Sequence, residues 1–252
     1  MNKLLKLLLA ATSIFIVAAC GGGDDSIDDR AGVADPKLRF VHAIPLGPNL
    51  TLFRGTVAQA DATNVGYKFA SKYFDIETGP ASWPVKTTTG NVEIGTTVAI
   101  DAKRGHKYTV VAVPGTDNAV VAIDDPFDKS LTSNNARLRV LNASFNAPSI
   151  DVYVNGLGTN IASVAPNFAS VGYKLTAPPS GGNSVEVAGG TYQLRVTPAG
   201  SKTVIFNTTV AIANNVDWLL LTVPDGVTPN AVKVLVADPD VPAGPMNELP
   251  AQ

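Results

Sequence analysis

The chain has 252 residues and a formal charge of −2 at neutral pH, from 19 Lys and Arg against 21 Asp and Glu. This length suffices for the cores of two ordinary domains, and the mildly acidic balance gives no sign of a nucleic-acid-binding surface. An apolar share of 45%, a charged share of only 16%, 22 Gly and 18 Pro favour a β-rich fold with many turns and exclude long charged helices.

The N-terminal segment has the order of residues typical of a bacterial export signal. Residues 1–6 form a short basic start with Lys3 and Lys6, residues 7–17 form an apolar run broken only by Thr12 and Ser13, and small residues precede Cys20. This order predicts a signal peptide over residues 1–19, because the apolar run is too short to span a bilayer as a mature helix. Cys20 is the single cysteine of the chain, so disulfides, thiolate catalysis and cysteine metal sites are excluded from the folded part.

The four residues Val17-Ala18-Ala19-Cys20 resemble the bacterial lipobox. The resemblance implies that the Cys20 sulfur receives a diacylglycerol and that the amine exposed by cleavage is acylated as well, for instance with palmitate. Several acyl chains together anchor a protein almost permanently. Lipoproteins that are retained in the inner membrane tend to have aspartate directly after the cysteine, whereas this chain has Gly21. The resemblance therefore implies sorting to the outer membrane of a Gram-negative cell, where the protein would face the periplasm or the cell surface. We expect residues 20–35 to form a lipidated flexible tether.

The remaining chain contains an internal repeat at a spacing of about one hundred residues. The matching segments are 37–41 with 136–141, Val-Gly-Tyr-Lys at 65–68 with the same four residues at 171–174, and 108–114 with 218–224. The repeat predicts two tandem domains at 36–127 and 136–239. We expect a short linker at 128–135, which would bring the domains into contact, and a disordered tail at 240–252.

Both copies consist of short β-branched segments separated by Gly, Pro and Asn. In the second copy the pattern predicts seven strands, at 136–143, 149–155, 170–175, 190–197, 202–210, 217–224 and 231–237. We therefore expect an all-β fold of two tandem immunoglobulin-like β-sandwich domains of about seven strands each. Along the second strand, Ile150, Val152 and Val154 alternate with polar residues and should face the core.

The segment 136–156 reads Ala-Arg-Leu-Arg-Val-Leu-Asn-Ala-Ser-Phe-Asn-Ala-Pro-Ser-Ile-Asp-Val-Tyr-Val-Asn-Gly. It resembles the opening of the family called domain of unknown function 4397, whose members begin Arg-Val-x-His-Ala-Ser-Pro-x-Ala-Pro-x-Val-Asp-Val-Tyr-Val-Asn-Gly. The second copy departs from this pattern at Asn142 and Phe145, whereas the first keeps His42 but has Leu-Thr-Leu-Phe at 50–53. Neither copy preserves the whole motif, which argues against a histidine-dependent reaction shared by both. The resemblance implies an envelope module and no activity.

Four residues are candidates for ligand binding. Asp151, Tyr153 and Asn155 should share the outward face of their strand, where solvent exposure explains them equally well. His42 is one of only two histidines, and the chain has neither a zinc-protease motif nor a serine-hydrolase motif. A histidine at a strand end that bonds a neighbouring loop is therefore favoured over a catalytic one.

Carboxylates collect at the end of each copy and would offer hard oxygen ligands to calcium. These weak metal candidates are Asp124, Asp125, Asp128, Asp238 and Asp240. Their spacing is not that of a known calcium loop, so solvated turn residues are favoured.

Two further groups of side chains can be interpreted either as binding sites or as ordinary structural or solvated residues. The basic turn at 103–107 would suit lipid phosphates, but a solvated hairpin tip is favoured. Several aromatic residues would stack on sugar rings if they were exposed, although aromatic residues in strands more often fill a core. These are Tyr67, Trp83, Tyr173, Tyr192 and Trp218.

Taken as a whole, the sequence predicts a lipid-anchored envelope protein without catalytic activity or cofactor, whose two modules bind a partner or have a structural role. The expected contacts are the membrane, through the lipid, and an envelope protein or polysaccharide. The alternatives are an envelope hydrolase or metal-dependent enzyme that uses His42, and a calcium-stabilised adhesin. A His42 packed away from carboxylates would end the enzyme hypothesis.

Overall fold

The computed structural model describes residues 26–115 and 118–252. The predicted signal peptide, Cys20 and the tether as far as residue 25 lie outside the described residues. Within the described ranges the fold is all-β, as the composition predicts, with one α-helix, α1 (Ile27–Arg30). No helix in these ranges is long and apolar enough to cross a membrane.

The strands of the first half are β1 (Lys37–His42), β2 (Leu50–Arg54), β3 (Val57–Ala58), β4 (Phe69–Ala70), β5 (Phe74–Asp75), β6 (Gly79–Trp83), β7 (Val85–Thr87), β8 (Val98–Ala102), β9 (His106–Val113) and β10 (Ala119–Pro126). Those of the second half are β11 (Ala136–Asn142), β12 (Ser149–Gly156), β13 (Phe168–Gly172), β14 (Thr176–Ala177), β15 (Val185–Val187), β16 (Gly190–Pro198), β17 (Phe206–Ile212), β18 (Asp217–Pro224) and β19 (Val232–Ala237). The C-terminal segment adds β20 (Gly244–Pro245) and β21 (Asn247–Glu248). All seven strands predicted for the second half are present, while β14 and β15 are too short to show a periodicity.

Each half contains a sheet built around a parallel pair of strands. β1 pairs in parallel with β9, which pairs antiparallel with β10. In the second half β11 pairs in parallel with β18, which pairs antiparallel with β19. Short antiparallel strands then complete the other side of β1 and of β11. The two halves therefore have the same connectivity in this sheet, in line with the internal repeat of the sequence.

A second sheet covers one face of the first in each half. In the second half this sheet has the order β13-β12-β16-β17. In the first half β2 pairs with β7, and β6 pairs with β8. These pairings correspond to those of β12 and of β17 with β16 in the second half, so that β7 and β6 together take the place of β16. The first half has two short strands in place of β16 because Pro84, which has no N–H to donate to the ladder, separates β6 from β7.

Each sandwich encloses its own apolar core, as strand alternation requires. In the second half Ile150, Val152 and Val154 are buried between the sheets, which confirms their predicted orientation. In the first half Phe40 from β1 packs in one cluster with Trp83 from β6.

A third core joins the two halves. Side chains on the outer faces of the two parallel-pair sheets pack against each other, and they include Val41, Val111, Ile123, Leu141, Leu221 and Leu235. Strands β9 and β18 are thus covered on both faces, which explains their nearly continuous apolar sequence. The halves are in contact, as the short linker predicts.

The C-terminal segment is not the disordered tail predicted at 240–252. β20 pairs with β4 of the first half, and β21 pairs with β19 of the second. Met246 and Leu249 are buried, and Glu248 forms salt bridges with Lys68 and Lys233. The prediction is wrong because this proline-containing segment has no periodicity of its own and gains its order from contacts with both halves.

The described part of the predicted tether, residues 26–35, is also ordered. Ser26 and Asp29 form a capping box at α1, and Asp29 is buried. The Arg30 guanidinium donates hydrogen bonds to backbone carbonyls of the linker at 130–133. Composition suggests flexibility here because it does not reveal hydrogen bonds between segments a hundred residues apart.

Candidate functional site

His42 lies at the end of β1 and is completely buried. Its Nε2 is 3.0 Å from the Pro48 carbonyl oxygen, and its Nδ1 accepts a hydrogen bond of 3.3 Å from the Ile44 N–H. These contacts fit a neutral ring that carries its proton on Nε2. Burial lowers the pKa of His42, which favours the same neutral form. Because backbone groups engage both ring nitrogens, His42 closes the loop at 43–49 and does not meet the geometry that the enzyme hypothesis requires.

Asn142 occupies the corresponding position in the second half. Its amide donates to the carbonyls of Ala147, at 2.8 Å, and Val171, at 3.0 Å. Its Oδ1 accepts hydrogen bonds from a backbone N–H and a threonine hydroxyl. A histidine and an asparagine therefore close equivalent loops, so the difference between the halves needs no catalytic explanation.

Asp151 is on the outer face of β12, as the alternation predicts, but it is buried instead of solvated. Its carboxylate accepts hydrogen bonds from the N–H groups of Ser170, at 2.7 Å, and Gly200, at 2.9 Å. The prediction of solvent exposure is wrong because the segments that contain these two residues fold over the strand. Asp151 thus fixes two loops, and both carboxylate oxygens are engaged.

Tyr153 is only 1% exposed on the same face. Its hydroxyl accepts a hydrogen bond of 2.9 Å from the Lys202 ammonium, which lies 4.8 Å from the centre of the ring. Asn155 is half-buried beside Asn167 and donates to its side-chain oxygen. Of the three candidates on this face, two are therefore closed to a ligand by the protein's own loops.

The carboxylates suggested for calcium do not come together. The residues described contain no group of three or more His, Cys, Asp or Glu that could hold a metal ion. Asp124 contacts His106, Asp125 pairs with two arginines, and Asp128 accepts a hydrogen bond from Asn183. Asp238 accepts hydrogen bonds from the Trp218 indole and from the N–H of Asp240. Sequence proximity is misleading here because alternate residues of a strand end point to different neighbours.

The aromatic residues mostly pack in or against the cores, as aromatic residues in strands usually do. Trp83 is buried in the first half, Tyr192 and Trp218 pack against the second core, and Tyr67 packs against the core between the halves. The Tyr173 hydroxyl donates across the two halves to the carbonyl of Pro114. No sugar-stacking platform is therefore formed by this set.

The basic turn at 103–107 is engaged by the N-terminal segment. The Gly105 N–H donates to the Ala34 carbonyl at 2.9 Å, and Arg104 pairs with Asp35 at 3.1 Å. Lys107 is buried with its ammonium 4.1 Å from the centre of the Phe127 ring. The turn therefore serves mainly as the place where the N-terminal segment is attached.

Beside this attachment, a buried cluster of charges ties the halves together. Asp125 accepts hydrogen bonds from Arg137, at 2.8 Å, and Arg139, at 2.9 Å, and Arg137 also pairs with Asp217 at 3.1 Å. Burial lowers the pKa of Arg137, but the carboxylates of Asp217 and Asp125 outweigh it, so that its pKa is raised. Burial also raises the pKa of the adjoining Tyr73 to about 12. Sequence reasoning missed the cluster, although alternating arginines on a strand with an apolar opposite face are a usable signal.

An apolar groove of about 480 Å³ lies at the other end of the contact between the halves. Its lining comes from the loops that follow β1, β9, β11 and β18, and includes Ile44, Leu46, Pro114, Phe145, Pro224 and Val227. The lining residues that the structure describes carry no charged side chain. No sequence signal marks the groove, because four loops distant in sequence form it.

Three apolar side chains of the groove are exposed. Leu46 is 102% exposed, Val227 is 88% exposed and Phe145 is 44% exposed. Leu46 also has a backbone φ of +57°, in the left-handed region that favours glycine. These three exposed apolar side chains therefore lie around one concave surface.

The groove and the attachment of the N-terminal segment lie at opposite ends of β9. The N-terminal segment contacts Gly105, just before β9, whereas Pro114 of the groove directly follows the same strand. A strand of eight residues spans about 26 Å at about 3.3 Å per residue. A protein held by its N-terminus would thus present the groove on its far side.

The model of the family described as domain of unknown function (DUF4397) matches residues 36–153. The match covers β1 to β10, the linker, β11 and most of β12. No curated protein matches the chain. The chain therefore contains one DUF4397 domain, at residues 36–153.

Proposed function

We propose that this protein is a lipid-anchored component of the bacterial cell envelope that acts by contact and has no catalytic activity. Cys20 would carry the lipid, and two β modules packed together would present the groove to a partner. We further propose that the second half is a second copy of the DUF4397 domain.

The proposal of two copies is supported by a detail of the repeated Val-Gly-Tyr-Lys segments. Lys68 and Lys174 both have a left-handed backbone, with φ of 70° and 66°. The Lys68 N–H donates to the His42 carbonyl, and the Lys174 N–H donates to the Asn142 carbonyl. Shared connectivity and a shared unusual turn at matching positions are what a duplicated domain should have.

One observation carries the functional proposal: the apolar groove and the attachment of the N-terminal segment are at opposite ends of β9. The tether from Cys20 to Ser26 spans at most about 20 Å, since an extended chain covers about 3.5 Å per residue. The N-terminal end would then stay close to the membrane and the groove would face away from it.

The proposed lack of an enzymatic role is supported by the contacts of His42, on which the enzyme hypothesis depends, and of Asp151, a candidate for ligand binding. Both ring nitrogens of His42 bond to backbone groups, and the carboxylate of Asp151 accepts from two backbone N–H groups. These contacts hold loops in place, which is a structural task.

The test is metabolic labelling with an alkyne fatty acid in a bacterial host, followed by cell fractionation. The wild-type chain should take up the label and remain with the membranes, whereas Cys20→Ser should lose both properties. A wild-type chain without label, or a labelled Cys20→Ser chain, would overturn the proposed anchor.

A further inference from the structure

We propose that a small cavity between the two halves, beside the buried cluster of charges, binds one monovalent anion close to chloride in size. The cavity has a volume of about 10 Å³ and is lined by strand residues of β1, β9, β10, β11 and β18, all of which the structure describes. Its charged and hydroxyl-bearing lining consists of Arg39, Thr109, Asp125, Arg139 and Asp217. Both halves therefore contribute to the site, which involves neither the groove nor the lipid anchor.

Arg39 brings a buried positive charge to this cavity, and no carboxylate balances it. The residue is 4% exposed, and its guanidinium donates to two uncharged groups, the Thr109 hydroxyl at 3.0 Å and the Ala237 carbonyl at 3.2 Å. Asp238, the next residue after Ala237, accepts from the Trp218 indole. Across residues 26–115 and 118–252, Arg39 forms no salt bridge, whereas the other two arginines of the cluster do.

The two carboxylates of the cluster are already in use. Asp125 is shared by Arg137 and Arg139 and also accepts a hydrogen bond from the Ser184 hydroxyl at 3.0 Å. Asp217 pairs with Arg137 at 3.1 Å. Three buried guanidinium groups thus share two carboxylates, which leaves one positive charge in excess among these five groups. A buried charge without a counterion is costly, and a single monovalent anion would supply the counterion.

The phenol of Tyr73 does not supply the negative charge either. Its ring centre lies 4.7 Å from the Arg39 guanidinium carbon, an arrangement that attracts the cation through the face of the ring. Burial raises the pKa of Tyr73 to about 12, so that the hydroxyl keeps its proton at neutral pH.

An unused hydrogen-bond donor beside the cavity is the independent observation. Arg139 is 2% exposed, and its terminal nitrogens donate to Asp125 and to the carbonyls of Pro178 and Pro179. Its Nε, in contrast, is buried and has no hydrogen-bond partner among the groups described. Native proteins rarely leave a buried N–H unsatisfied. N–H groups that converge on one point favour an anion and disfavour a metal ion.

The size of the cavity restricts the ligand to a small ion. A cavity of roughly 10–15 Å³ holds about one water molecule, so that sulfate, phosphate and carboxylic acids are too large for a volume of about 10 Å³. A water molecule would satisfy the N–H group of Arg139 but would leave the charge of Arg39 unbalanced. Asp217 and Trp218 in the lining are only half-buried, which gives an ion a route from solvent.

The test is the melting temperature of the full chain carrying Cys20→Ser, which cannot be acylated at that position. Sodium gluconate, whose anion is too large for the cavity, is replaced stepwise by sodium chloride at constant ionic strength. We expect the melting temperature to rise and then level off, by roughly 5–10 °C at a hundredfold excess of chloride over its dissociation constant. Sodium bromide should have a similar effect.

Arg39→Leu in the same background should abolish the dependence on chloride, because it removes the excess charge. The matched control is Arg54→Leu, since Arg54 is a partly exposed arginine that pairs with Glu77 far from the cavity lining. It should keep the full dependence. If Arg39→Leu does not fold, crystals of the parent chain grown in sodium bromide provide the second measurement. They should show an anomalous bromide peak in contact with the Arg39 and Arg139 side chains.

The proposal is overturned if chloride and gluconate give the same melting temperature, or if Arg39→Leu keeps the chloride dependence of the parent chain. It is equally overturned if the crystals show water in the cavity and bromide only on the outer surface. None of these results bears on fatty-acid labelling at Cys20, so that the anchor and the anion site are tested separately.

Discussion

Asp125→Asn should strongly destabilise the protein, because Asp125 is the shared anion of two buried arginines. The side chains of Arg137 and Arg139 are 1% and 3% exposed, and each donates to the same carboxylate oxygen. Asparagine keeps the shape of the side chain but removes its charge. Removal of one partner from a buried ion pair typically costs about 3–5 kcal/mol. Since Arg137 keeps Asp217 at 3.1 Å, we expect the lower end, about 3 kcal/mol.

Urea unfolding at neutral pH, followed by the fluorescence of Trp83 and Trp218, measures this loss in both halves. For a protein of this size it corresponds to a decrease in melting temperature of roughly 6–12 °C. Asp128→Asn is the control, since Asp128 is exposed and should change stability by less than about 0.5 kcal/mol. A loss below about 1 kcal/mol for Asp125→Asn, or equal losses for both variants, would refute the role of the charged cluster in joining the halves.

Two further predictions concern pH. Burial lowers the pKa of His42 in the folded state, so the unfolded chain binds the extra proton more readily, and stability should fall as pH decreases below about 6.5. His42→Asn, which copies Asn142, should cost at most about 1.5 kcal/mol at neutral pH and flatten this dependence in urea titrations between pH 7 and 5; an unchanged slope would contradict the assignment. The Lys68 hydrogen bond lowers the pKa of Glu248 in the folded state. The Glu248 carboxylate therefore contributes to the stability of the fold above the ordinary glutamate pKa of about 4.3, and this contribution disappears as pH falls through the lower folded pKa. Glu248→Gln should therefore cost about 0.5–1 kcal/mol at pH 7 and nothing near pH 2, and equal costs at both pH values would show that the salt bridges of the C-terminal segment are irrelevant.

The sequence is sufficient to predict the all-β class and the main strands, because alternation and turn residues are local signals. Ile150, Val152 and Val154 face the core as their period requires. Whether the opposite face of the strand is buried or exposed is not determined by local sequence. Asp151 and Tyr153 are buried by loops that arrive from elsewhere in the chain, and a period of two residues specifies the side of a sheet but not what covers it.

The same limit applies to the candidate site. His42 could be interpreted correctly from its place at a strand end, because the bond to its loop spans only six residues. The groove could not be predicted, since Ile44, Pro114, Phe145 and Pro224 meet only after two sheets pack face to face. Exposed leucines such as Leu46 are common in loops, and its left-handed backbone becomes visible only in the structure.

The most direct test of the account is photo-crosslinking in cells that express the full chain. A photoreactive residue replaces Leu46 in one strain and, in another, Leu157, which is 59% exposed outside the groove. We predict a discrete protein adduct at position 46, in the membrane fraction, that is absent at position 157 and displaced from the membranes by Cys20→Ser. No adduct at position 46, or the same adducts at both positions, would contradict an anchored protein that acts through its groove.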